Sequence, residues 1–356
     1  MKNIAIVVPN LAGSGGEKIA LVQAKMFYEN GYNVVLFLLE DLKTYDISEL
    51  NFSVEYLSKF KNQYKIFGKL GYKFYAFLLK SKMKKYGNFD LILSNLPRAD
   101  RVVKELKHCN KVFVIHMSYK AELEKFSNRV ASKKLKLYKY LYENEKLITV
   151  SKAIIEDLDN LKIKYKNVMT IYNPFYFEEI IKKGNEQVEY NFDYIISPSA
   201  YRLQKRYDVM LDAFKLLENK MIKLLILSKE NQKLTSMIEE RGLEERVLVI
   251  GFKQNPYKYI NNAKLLILSS DREGLPTVVI ESLILSTPVV STDCPTGPKE
   301  IMINELSKWL VPVNNPNELA KKIDEALISN IKIDKIDLSR FNQEKIFIEY
   351  ESLCNI

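Results

Sequence analysis

Cysteine and histidine are scarce in this sequence, and neither is spaced for a site that needs several together. The three cysteines, Cys109, Cys294 and Cys354, lie far apart, which argues against a disulfide framework or a cysteine metal site and is typical of a reducing compartment. The two histidines, His108 and His116, are too few for a histidine-rich metal centre. We recognise no Asp-x-Asp metal site either, so we expect no metal and no other cofactor.

The sequence also lacks a long hydrophobic run. No stretch of about 18 apolar residues predicts a transmembrane helix, and the first residues form a strand pattern without the features of a signal peptide. At 356 residues, with 47% hydrophobic and 28% charged residues, the composition is ordinary for a soluble globular protein of two domains. We expect a cytoplasmic location, with peripheral attachment to the inner face of the membrane as an alternative.

Positive charge is in excess and unevenly placed. The net charge is +10, and nine lysines but no acid lie between Lys59 and Lys85, interleaved with aromatic residues. A second basic stretch runs from Lys133 to Lys146. A helix is predicted over residues 60–86, because apolar positions recur there at roughly helical spacing. Such a face attracts anionic lipid, polyphosphate or nucleic acid, and a solvated lysine face of a helix on the outside of the first sheet is the alternative.

Strand and helix patterns alternate from the first residues. Residues 2–9 form a buried strand pattern, residues 10–17 a loop of small residues, and a helix follows, so we expect a parallel sheet. In the loop, Gly15 and Gly16 would let a ligand approach the main chain closely, and a tight turn without a ligand is the alternative. Lys18 occupies the third glycine position of the dinucleotide fingerprint, and Glu40 only comes close to the position of the ribose-binding acid, so a dehydrogenase is disfavoured.

A strand, a loop and a helix in the second half of the chain carry the most informative motif. The apolar run from Ala263 to Leu268 predicts a buried strand, and the helix is expected to begin near Pro276, since proline suits a first helical turn. The loop between them holds Glu273, and Glu281 falls in the second turn of the helix. Backbone N–H groups at such a helix start suit a phosphate or a sugar oxygen, and two surface acids on an ordinary strand–helix unit are the alternative.

The spacing of the two acids resembles a known family signature. Seven residues separate Glu273 from Glu281, Gly-Leu-Pro follows the first acid, and residues 286–301 continue the match. The pattern resembles the E-x7-E signature of the retaining glycosyltransferases of family 4. The resemblance implies the GT-B fold, in which two Rossmann-like α/β domains with parallel sheets face a central cleft and the last helix crosses back to the first domain.

The resemblance also divides the chain. It implies an acceptor-side domain over residues 1–175, a donor-binding domain over residues 190–336, and the returning helix over residues 337–356. The Asn-Pro pair at 173–174 and the polar stretch to about residue 191 are interpreted as the linker between the domains.

The resemblance further assigns roles in a nucleotide-sugar site. Arg202 and Lys205 match the cations that this family places on the donor diphosphate, although their spacing is shorter than usual and Arg206 is the alternative to one of them. Three cations at a helix start indicate a bound anion, because they are unfavourable there without one. Glu273 is implied to bind sugar hydroxyls and Glu281 the ribose hydroxyls. Further donor contacts are implied for Gly274, Leu275 and Pro276. Phe252 lies in a loop that contacts the nucleotide base in the family, and a core position of this side chain is the alternative.

His116 is the candidate on the first domain. It follows the predicted strand at residues 111–115, at the sheet edge where open α/β folds bind ligands. It resembles the family's histidine that contacts the donor sugar, and a neutral imidazole can donate or accept a hydrogen bond at a hydroxyl. A loop histidine with a satisfied hydrogen bond is the alternative. In the family, the loop that Gly15 and Gly16 match faces the donor phosphate and the acceptor.

The predicted function is therefore sugar transfer with retention of the anomeric configuration. The donor would carry a hexose or N-acetylhexosamine on a nucleotide diphosphate, most commonly uridine diphosphate in this family, and the acceptor would be a glycan or lipid-linked glycan in surface polysaccharide or lipopolysaccharide assembly. Alternatives are a phosphorylase, a nucleotide-sugar epimerase, and a non-catalytic protein that binds a membrane surface or nucleic acid. Nucleic acid is the weaker partner, because no reader motif is recognised.

Overall fold

The structure of the protein, a computed structural model, describes residues 1–48, 50–59, 68–107, 109–329, 331, 333 and 337–355. It divides into two compact units. The first comprises Met1–Phe175 and Arg340–Ile356, and the second comprises Tyr176–Ser339. Each unit is built on its own parallel β-sheet, with helices joining the strands.

A seven-stranded parallel sheet forms the centre of the first unit. Its strands lie in the order β3-β2-β1-β4-β5-β6-β7. The strand bounds are β1 Asn3–Val8, β2 Asn33–Leu38, β3 Ser53–Tyr56, β4 Leu91–Asn95, β5 Lys111–Ile115, β6 Lys146–Thr149 and β7 Asn167–Thr170. The helices that join them are α1 Gly15–Glu29, α2 Gly68–Met83, α3 Pro97–Val103, α4 Tyr119–Leu123, α5 Asn128–Tyr142 and α6 Lys152–Asn160, with a 3-10 turn at Lys84–Tyr86.

Strand β1 is an interior strand of this sheet and is apolar on both faces. Residues 4–8 of β1 are fully buried, as expected for a parallel strand covered by helices on each side. β1 pairs with β2 and β4, and β4 pairs with β5. The loops that follow these strands therefore lie at one edge of the sheet.

The second unit has a six-stranded parallel sheet in the order β10-β9-β8-β11-β12-β13. Its strands are β8 Tyr194–Ser197, β9 Lys223–Ile226, β10 Val247–Val249, β11 Leu265–Leu268, β12 Val289–Thr292 and β13 Leu310–Val311. Its helices are α7 Phe177–Gly184, α8 Tyr207–Leu216, α9 Gln232–Glu239, α10 Tyr257–Asn261, α11 Thr277–Ile284, α12 Pro298–Ile301 and α13 Pro316–Ile328, with 3-10 turns at Leu203–Lys205 and Asn304–Trp309.

The last helix, α14 (Gln343–Ser352), belongs to the first unit. Two backbone hydrogen bonds anchor the segment before it, from the Phe175 N–H to the Phe341 carbonyl at 2.9 Å and from the Gln343 N–H to the Phe175 carbonyl at 3.1 Å. Phe347 and Tyr350 of α14 pack edge-on against Phe27 of α1. The predicted return of the last helix to the first domain is confirmed.

Two predictions about helices change. The stretch interpreted as a linker contains α7, which packs on α10 and α11 of the second unit, so residues 177–184 are part of a folded unit and not a linker. The Asn-Pro pair at 173–174 lies at the end of the first segment of the first unit, as predicted. The amphipathic helix α7, which begins at Phe177, was not predicted. Of the helix predicted over 60–86, residues 60–67 lie outside the described residues, and the rest forms α2 and the 3-10 turn. Within the described ranges, no helix is both long and apolar enough to span a bilayer.

Candidate functional site

The loop between β11 and α11 is held in place by hydrogen bonds from neighbouring segments. The Thr292 hydroxyl, at the end of β12, donates to the Ser270 carbonyl at 2.5 Å. The Asp271 N–H donates to the Gln204 carbonyl at 2.9 Å. Because β11 lies between β8 and β12, these bonds tie the loop to the segments that follow both neighbouring strands. The loop is thereby fixed at the carboxyl edge of the second sheet.

Lys205 and Glu273 meet in a direct ion pair at this edge. The Lys205 Nζ lies 2.6 Å from Glu273 Oε1, and the Ser270 hydroxyl donates to the same oxygen at 2.6 Å. The two charged side chains are only 17% and 10% exposed. The structure thus brings together the cation and the first acid that the sequence analysis selected, and it adds Ser270, which that analysis did not select.

The turn that carries Lys205 is fastened to the same loop. The Ser269 hydroxyl donates to the carbonyls of Lys205 at 2.7 Å and Arg206 at 3.2 Å. Arg202 precedes the turn in extended conformation with an exposed side chain. Arg206 adopts a left-handed conformation, with φ of 46°, and its guanidinium binds the Asp208 carboxylate through Nε at 2.9 Å and Nη2 at 2.6 Å. Lys205 therefore pairs with Glu273, and Arg206 with Asp208.

A second loop, which follows β12, packs against the loop of Glu273. The Thr296 hydroxyl donates to the Glu273 carbonyl. Gly297 has a φ of +92°, and a Cβ there would lie 2.6 Å from both the Gly274 carbonyl oxygen and the Pro276 Cδ. Only glycine fits this close approach of two backbones. The sequence analysis included Gly297 in the extended match but assigned no role to it or to Thr296.

The other predicted residues of the second unit differ in their surroundings. Pro276 is the residue before the first turn of α11, as predicted, and Glu281 lies in the second turn with 2% of its surface exposed. Leu275 is 5% exposed, so only its backbone is placed to contact a ligand. Phe252 is half-buried beside Lys229 and follows the edge strand β10, three strand positions from β11. The structure does not place Phe252 at the Lys205–Glu273 pair.

Cys294 lies beneath the same loop. Burial, with a smaller contribution from the Glu273 carboxylate, holds the pKa of the Cys294 thiol well above its usual range. A protonated and 2% exposed thiol is a poor nucleophile. Cys294 therefore contributes packing rather than chemistry.

In the first unit, Glu17 of α1 forms hydrogen bonds with the glycine loop that follows β1. The Glu17 carboxylate accepts hydrogen bonds from the backbone N–H groups of Gly13 at 2.8 Å and Ser14 at 3.0 Å. Ser14 and Glu17 form a capping box at the start of α1. These two N–H groups are thus already occupied, and Gly15 and Gly16 follow them in the first turn of the helix.

Gly16 lies against the residues that follow β4 and β5. A Cβ on Gly16 would come 2.9 Å from Leu96 Cδ2 and 3.6 Å from His116 Cγ. A larger residue would push Leu96 or the imidazole away. Gly16 and His116, both selected from the sequence, are therefore neighbours at the carboxyl edge of the first sheet.

His116 is neutral and directionally held. Its Nε2 lies 2.7 Å from Asn95 Oδ1, at the end of β4. Burial lowers the pKa of His116 to about 4. With the amide oxygen of Asn95 as acceptor, Nε2 carries the proton and Nδ1 carries the lone pair. The satisfied hydrogen bond expected of an ordinary loop histidine is present, yet Nδ1 has no hydrogen-bond partner among the described residues and is left for a ligand.

Glu40 has a structural partner, which counts further against a dinucleotide site. Arg98 Nη2 lies 2.6 Å from Glu40 Oε1, and Asn10 Nδ2 lies 3.3 Å from Glu40 Oε2. The Glu40 side chain is 1% exposed. A carboxylate buried against a guanidinium is not placed to bind the hydroxyls of a ribose.

The acids of the described ranges do not cluster as metal ligands. Among those residues, no group of three or more His, Cys, Asp or Glu side chains could hold a metal ion. Asp157 and Asp159 form an Asp-x-Asp sequence in α6, but the first accepts a hydrogen bond from the Ser118 hydroxyl and the second from the Tyr165 hydroxyl at 2.8 Å.

Comparison with known proteins covers both units. Residues 177–342 match the family described as Glycosyl transferases group 1. An uncharacterized glycosyltransferase of Methanocaldococcus jannaschii is 31% identical over 242 residues, which are 61% of this chain and 59% of that protein, so the chain spans less than two thirds of this relative. The N-acetylgalactosamine-N,N'-diacetylbacillosaminyl-diphospho-undecaprenol 4-alpha-N-acetylgalactosaminyltransferase of Campylobacter jejuni is 28% identical over 361 residues, covering 97% of this chain and 94% of that protein.

Solved structures agree with the fold. HepE of Anabaena, solved with UDP and glucose, superposes with a TM-score of 0.80 at 18% identity and covers 100% of both chains. At this level of identity the likeness shows the fold alone. The predicted GT-B α/β fold and the resemblance to glycosyltransferases of this type are confirmed.

Proposed function

We propose that the chain transfers a hexose or N-acetylhexosamine from a UDP-sugar to a glycan or lipid-linked acceptor, with retention of the anomeric configuration. The match of residues 177–342 to the Glycosyl transferases group 1 family supports this proposal. The name of the Campylobacter relative supports the acceptor class, because that enzyme acts on a sugar linked to diphospho-undecaprenol. The UDP and glucose bound to HepE support the donor class. The product would enter surface polysaccharide assembly.

The Lys205–Glu273 ion pair is the observation that carries this proposal. Breaking the bond between the anomeric carbon and the diphosphate oxygen leaves negative charge on the diphosphate. Lys205, held by Glu273 at 2.6 Å, supplies a fixed positive charge for it, and the exposed Arg202 supplies a second. An ionised carboxylate is an acceptor only, so Glu273 is suited to bind the hydroxyls of the donor sugar.

The start of α11 adds to the same charge pattern. The helix begins at Thr277, shortly after the loop of Glu273 and Gly274, and the N–H groups of Thr277 and Val278 have no partner within the helix, whereas the Val279 N–H donates to the Pro276 carbonyl at 3.1 Å. These groups and the helix dipole favour an anionic or strongly polar oxygen at this end. Side-chain and backbone donors therefore converge where a sugar diphosphate would lie, and we propose that the transfer needs no metal.

In the first unit, His116 is the residue to which we assign a role in the transfer. A neutral imidazole beside Gly16, with Nδ1 as acceptor, can orient a sugar hydroxyl or the acceptor hydroxyl. In the proposed mechanism the departing phosphate takes the acceptor proton, so His116 is asked to position and not to act as the base.

Helix α2 is the proposed contact with an anionic membrane. Leu70, Phe74 and Phe77 are 72%, 57% and 66% exposed at helical spacing on one face, while the opposite face packs against α3. Exposed lysines, including Lys73 and Lys80, flank the apolar residues. An apolar stripe bordered by lysines suits the interface of a bilayer with anionic headgroups. The face would bring the enzyme to a lipid-linked acceptor.

A donor screen tests the proposed function. The protein is incubated with UDP-, GDP-, ADP- and dTDP-sugars and a lipid-linked acceptor mixture, and the products are identified by mass spectrometry. We expect one UDP-sugar to be consumed with formation of a glycoside, in excess chelator as well as without it. Loss of turnover in chelator would refute metal independence, and consumption of no nucleotide sugar would refute the function.

Matched variants connect that activity to the site. Glu273→Gln and Lys205→Met are expected to lose at least about 100-fold in turnover, since each removes a charged group from the donor site. Lys322→Met is the control, because Lys322 forms an equally short 2.6 Å pair with Glu325 on α13. An isomerised sugar nucleotide would indicate an epimerase, consumption of inorganic phosphate a phosphorylase, and salt-dependent binding of nucleic acid without turnover a binding protein.

A further inference from the structure

A chain of buried hydrogen bonds runs from α14 to His116. The Gln23 Nε2 of α1 donates to the Tyr350 hydroxyl at 2.7 Å. The Asn95 Nδ2 donates to Gln23 Oε1 at 3.2 Å, and Asn95 Oδ1 lies 2.7 Å from His116 Nε2. Four side chains from α14, α1, the end of β4 and the end of β5 are thereby joined in one line within the first unit.

The three residues behind His116 are withdrawn from water. Gln23 and Asn95 have no exposed surface, and Tyr350 is 1% exposed. A polar group buried this deeply without a partner raises the free energy of the folded protein, so each amide needs a hydrogen-bond partner at both of its ends. Packing alone does not explain Gln23, because it lies on the buried face of α1, where the helical pattern would place an apolar residue.

The direction of these hydrogen bonds, from donor to acceptor, determines the tautomer of His116. Each amide has one donor end and one acceptor end, so turning one amide forces the next to turn. If Tyr350 accepts from Gln23, Asn95 presents its oxygen and Nε2 of His116 is protonated. If the direction were reversed, Asn95 would present its NH₂ group and the proton would move to Nδ1. A tyrosine hydroxyl can accept or donate, and in the structure the Tyr350 hydroxyl accepts from Gln23, so Tyr350 supplies the acceptor that the observed direction needs at its far end.

We propose that Tyr350 is a positioning residue that fixes the Nε2–H tautomer of His116 through Gln23 and Asn95, so that Nδ1 accepts a hydrogen bond from a sugar or acceptor hydroxyl. The role of Nδ1 rests on the proposed glycosyl transfer. The tautomer itself is a property of the free protein, so its measurement does not depend on activity.

Nitrogen NMR of the imidazole rings tests the proposal. The sequence has only two histidines, and His116→Gln identifies the signals of His116. At pH 7 we expect the wild-type protein to show the Nε2–H tautomer of a neutral ring. In Tyr350→Phe, which keeps the ring packed on Phe27, we expect a second set of signals from the Nδ1–H tautomer. Gln23→Met interrupts the chain at its centre and is expected to have the same effect.

Tyr32→Phe is the matched control. Tyr32 also hydrogen-bonds to α14, from its hydroxyl to Glu351 at 2.9 Å, but this contact does not lead to His116. Tyr32→Phe should therefore leave the tautomer of His116 unchanged. In the transfer assay, Tyr350→Phe should lower kcat about fivefold, the value of one net hydrogen bond, with a smaller change in Tyr32→Phe.

Three results would overturn the proposal. They are an Nδ1–H tautomer in the wild type, an unchanged tautomer in a folded Tyr350→Phe variant, and an equal tautomer shift in Tyr32→Phe. If the tautomer shifts as expected but no nucleotide sugar is consumed by the wild type, the proposed function fails and the positioning by Tyr350 stands.

Discussion

The ammonium of Lys205 lies 2.6 Å from the carboxylate of Glu273, although the two residues are 68 positions apart in sequence. Neither side chain is more than 17% exposed, so each charge depends on the other for compensation. A bound diphosphate would offer Lys205 a second anion and free the carboxylate for sugar hydroxyls. Stability of the free protein and turnover should therefore respond differently to substitution of the pair.

Lys205→Met should destabilise the protein and inactivate it. It leaves the Glu273 carboxylate nearly buried without a cation, which should lower the free energy of unfolding by about 1–3 kcal/mol. Adding Glu273→Gln removes the uncompensated charge and should restore much of that stability but none of the activity. Urea denaturation and the UDP-sugar assay measure the two effects. A double variant as unstable as Lys205→Met would contradict this account.

Lys322→Met is the comparison for the same prediction. The Lys322 and Glu325 side chains are 22% and 40% exposed, so solvent screens their attraction. Loss of this pair should cost less than about 1 kcal/mol and leave turnover unchanged.

Gly297→Ala should weaken the proposed donor site by displacing the loop of Glu273. The new Cβ would press on the Gly274 carbonyl and on Pro276, so the loop must move. We expect the KM for the donor to rise at least about tenfold, since small displacements at a binding site cost that much. Gly242→Ala is the control, because Gly242 has a φ of +65° but nothing within 4 Å of the added Cβ. Equal effects of the two changes on KM would show that backbone strain, and not contact, is responsible.

His116 should remain neutral over the working pH range of the enzyme. Its pKa of about 4 in the folded chain lies below the usual 6.5, so on acidification the unfolded chain binds a proton first. The contribution of His116 to stability is therefore complete above pH 6.5 and is lost as the pH falls towards 4, by at most about 1.4 kcal/mol per pH unit. Proton NMR titration checks the pKa, and His116→Gln should show a shallower loss of stability in this window.

Asn95→Asp is the companion variant for this titration. It places a carboxylate where the amide oxygen meets Nε2, so the pKa of His116 should rise by one unit or more, by about the amount typical of a close opposite charge. An unchanged pKa in a folded Asn95→Asp variant would show that the contact does not control the ring.

The combined change Phe74→Ser and Phe77→Ser should reduce binding to anionic vesicles. Both side chains are more than half exposed on α2, so their removal should cost little stability but about tenfold or more in binding to vesicles that contain phosphatidylglycerol. Sedimentation with vesicles measures this. Ile348→Ser is the control, since Ile348 on α14 is 67% exposed. Equal binding to neutral vesicles, or an equal loss in the control, would refute contact through α2.

Sequence patterns predicted the parts of this fold whose residues are apolar on both faces. β1 and β11 were recognisable because parallel strands buried by helices are continuous apolar runs. β3, at Ser53–Tyr56, was not predicted, because it is a short edge strand with no fully buried residue. Helix α7 was mistaken for a linker, since it follows a proline and has only eight residues.

Only part of the candidate site could be predicted, because the sequence pattern marks some of its residues and not others. The two acids and the cations stand out by type and spacing, whereas Ser270 and Thr296 are hydroxyl residues in loops, where no periodicity marks them. Contacts such as Tyr350 to Gln23 join residues 327 positions apart, and no local pattern encodes such a distance. The available signal was Gln23 itself, a polar residue on the apolar side of a helix.

The return of α14 to the first unit has a consequence for how the protein is made. During translation, residues 1–175 emerge from the ribosome before the whole second unit, and residues 340–355 follow only after it. Until then, Gln23 lacks the hydroxyl of Tyr350, and the ring of Phe27 lacks its contacts with Phe347 and Tyr350. The first unit to be synthesised is therefore the last to be completed, and the nascent chain must carry an unfinished domain while the second one folds.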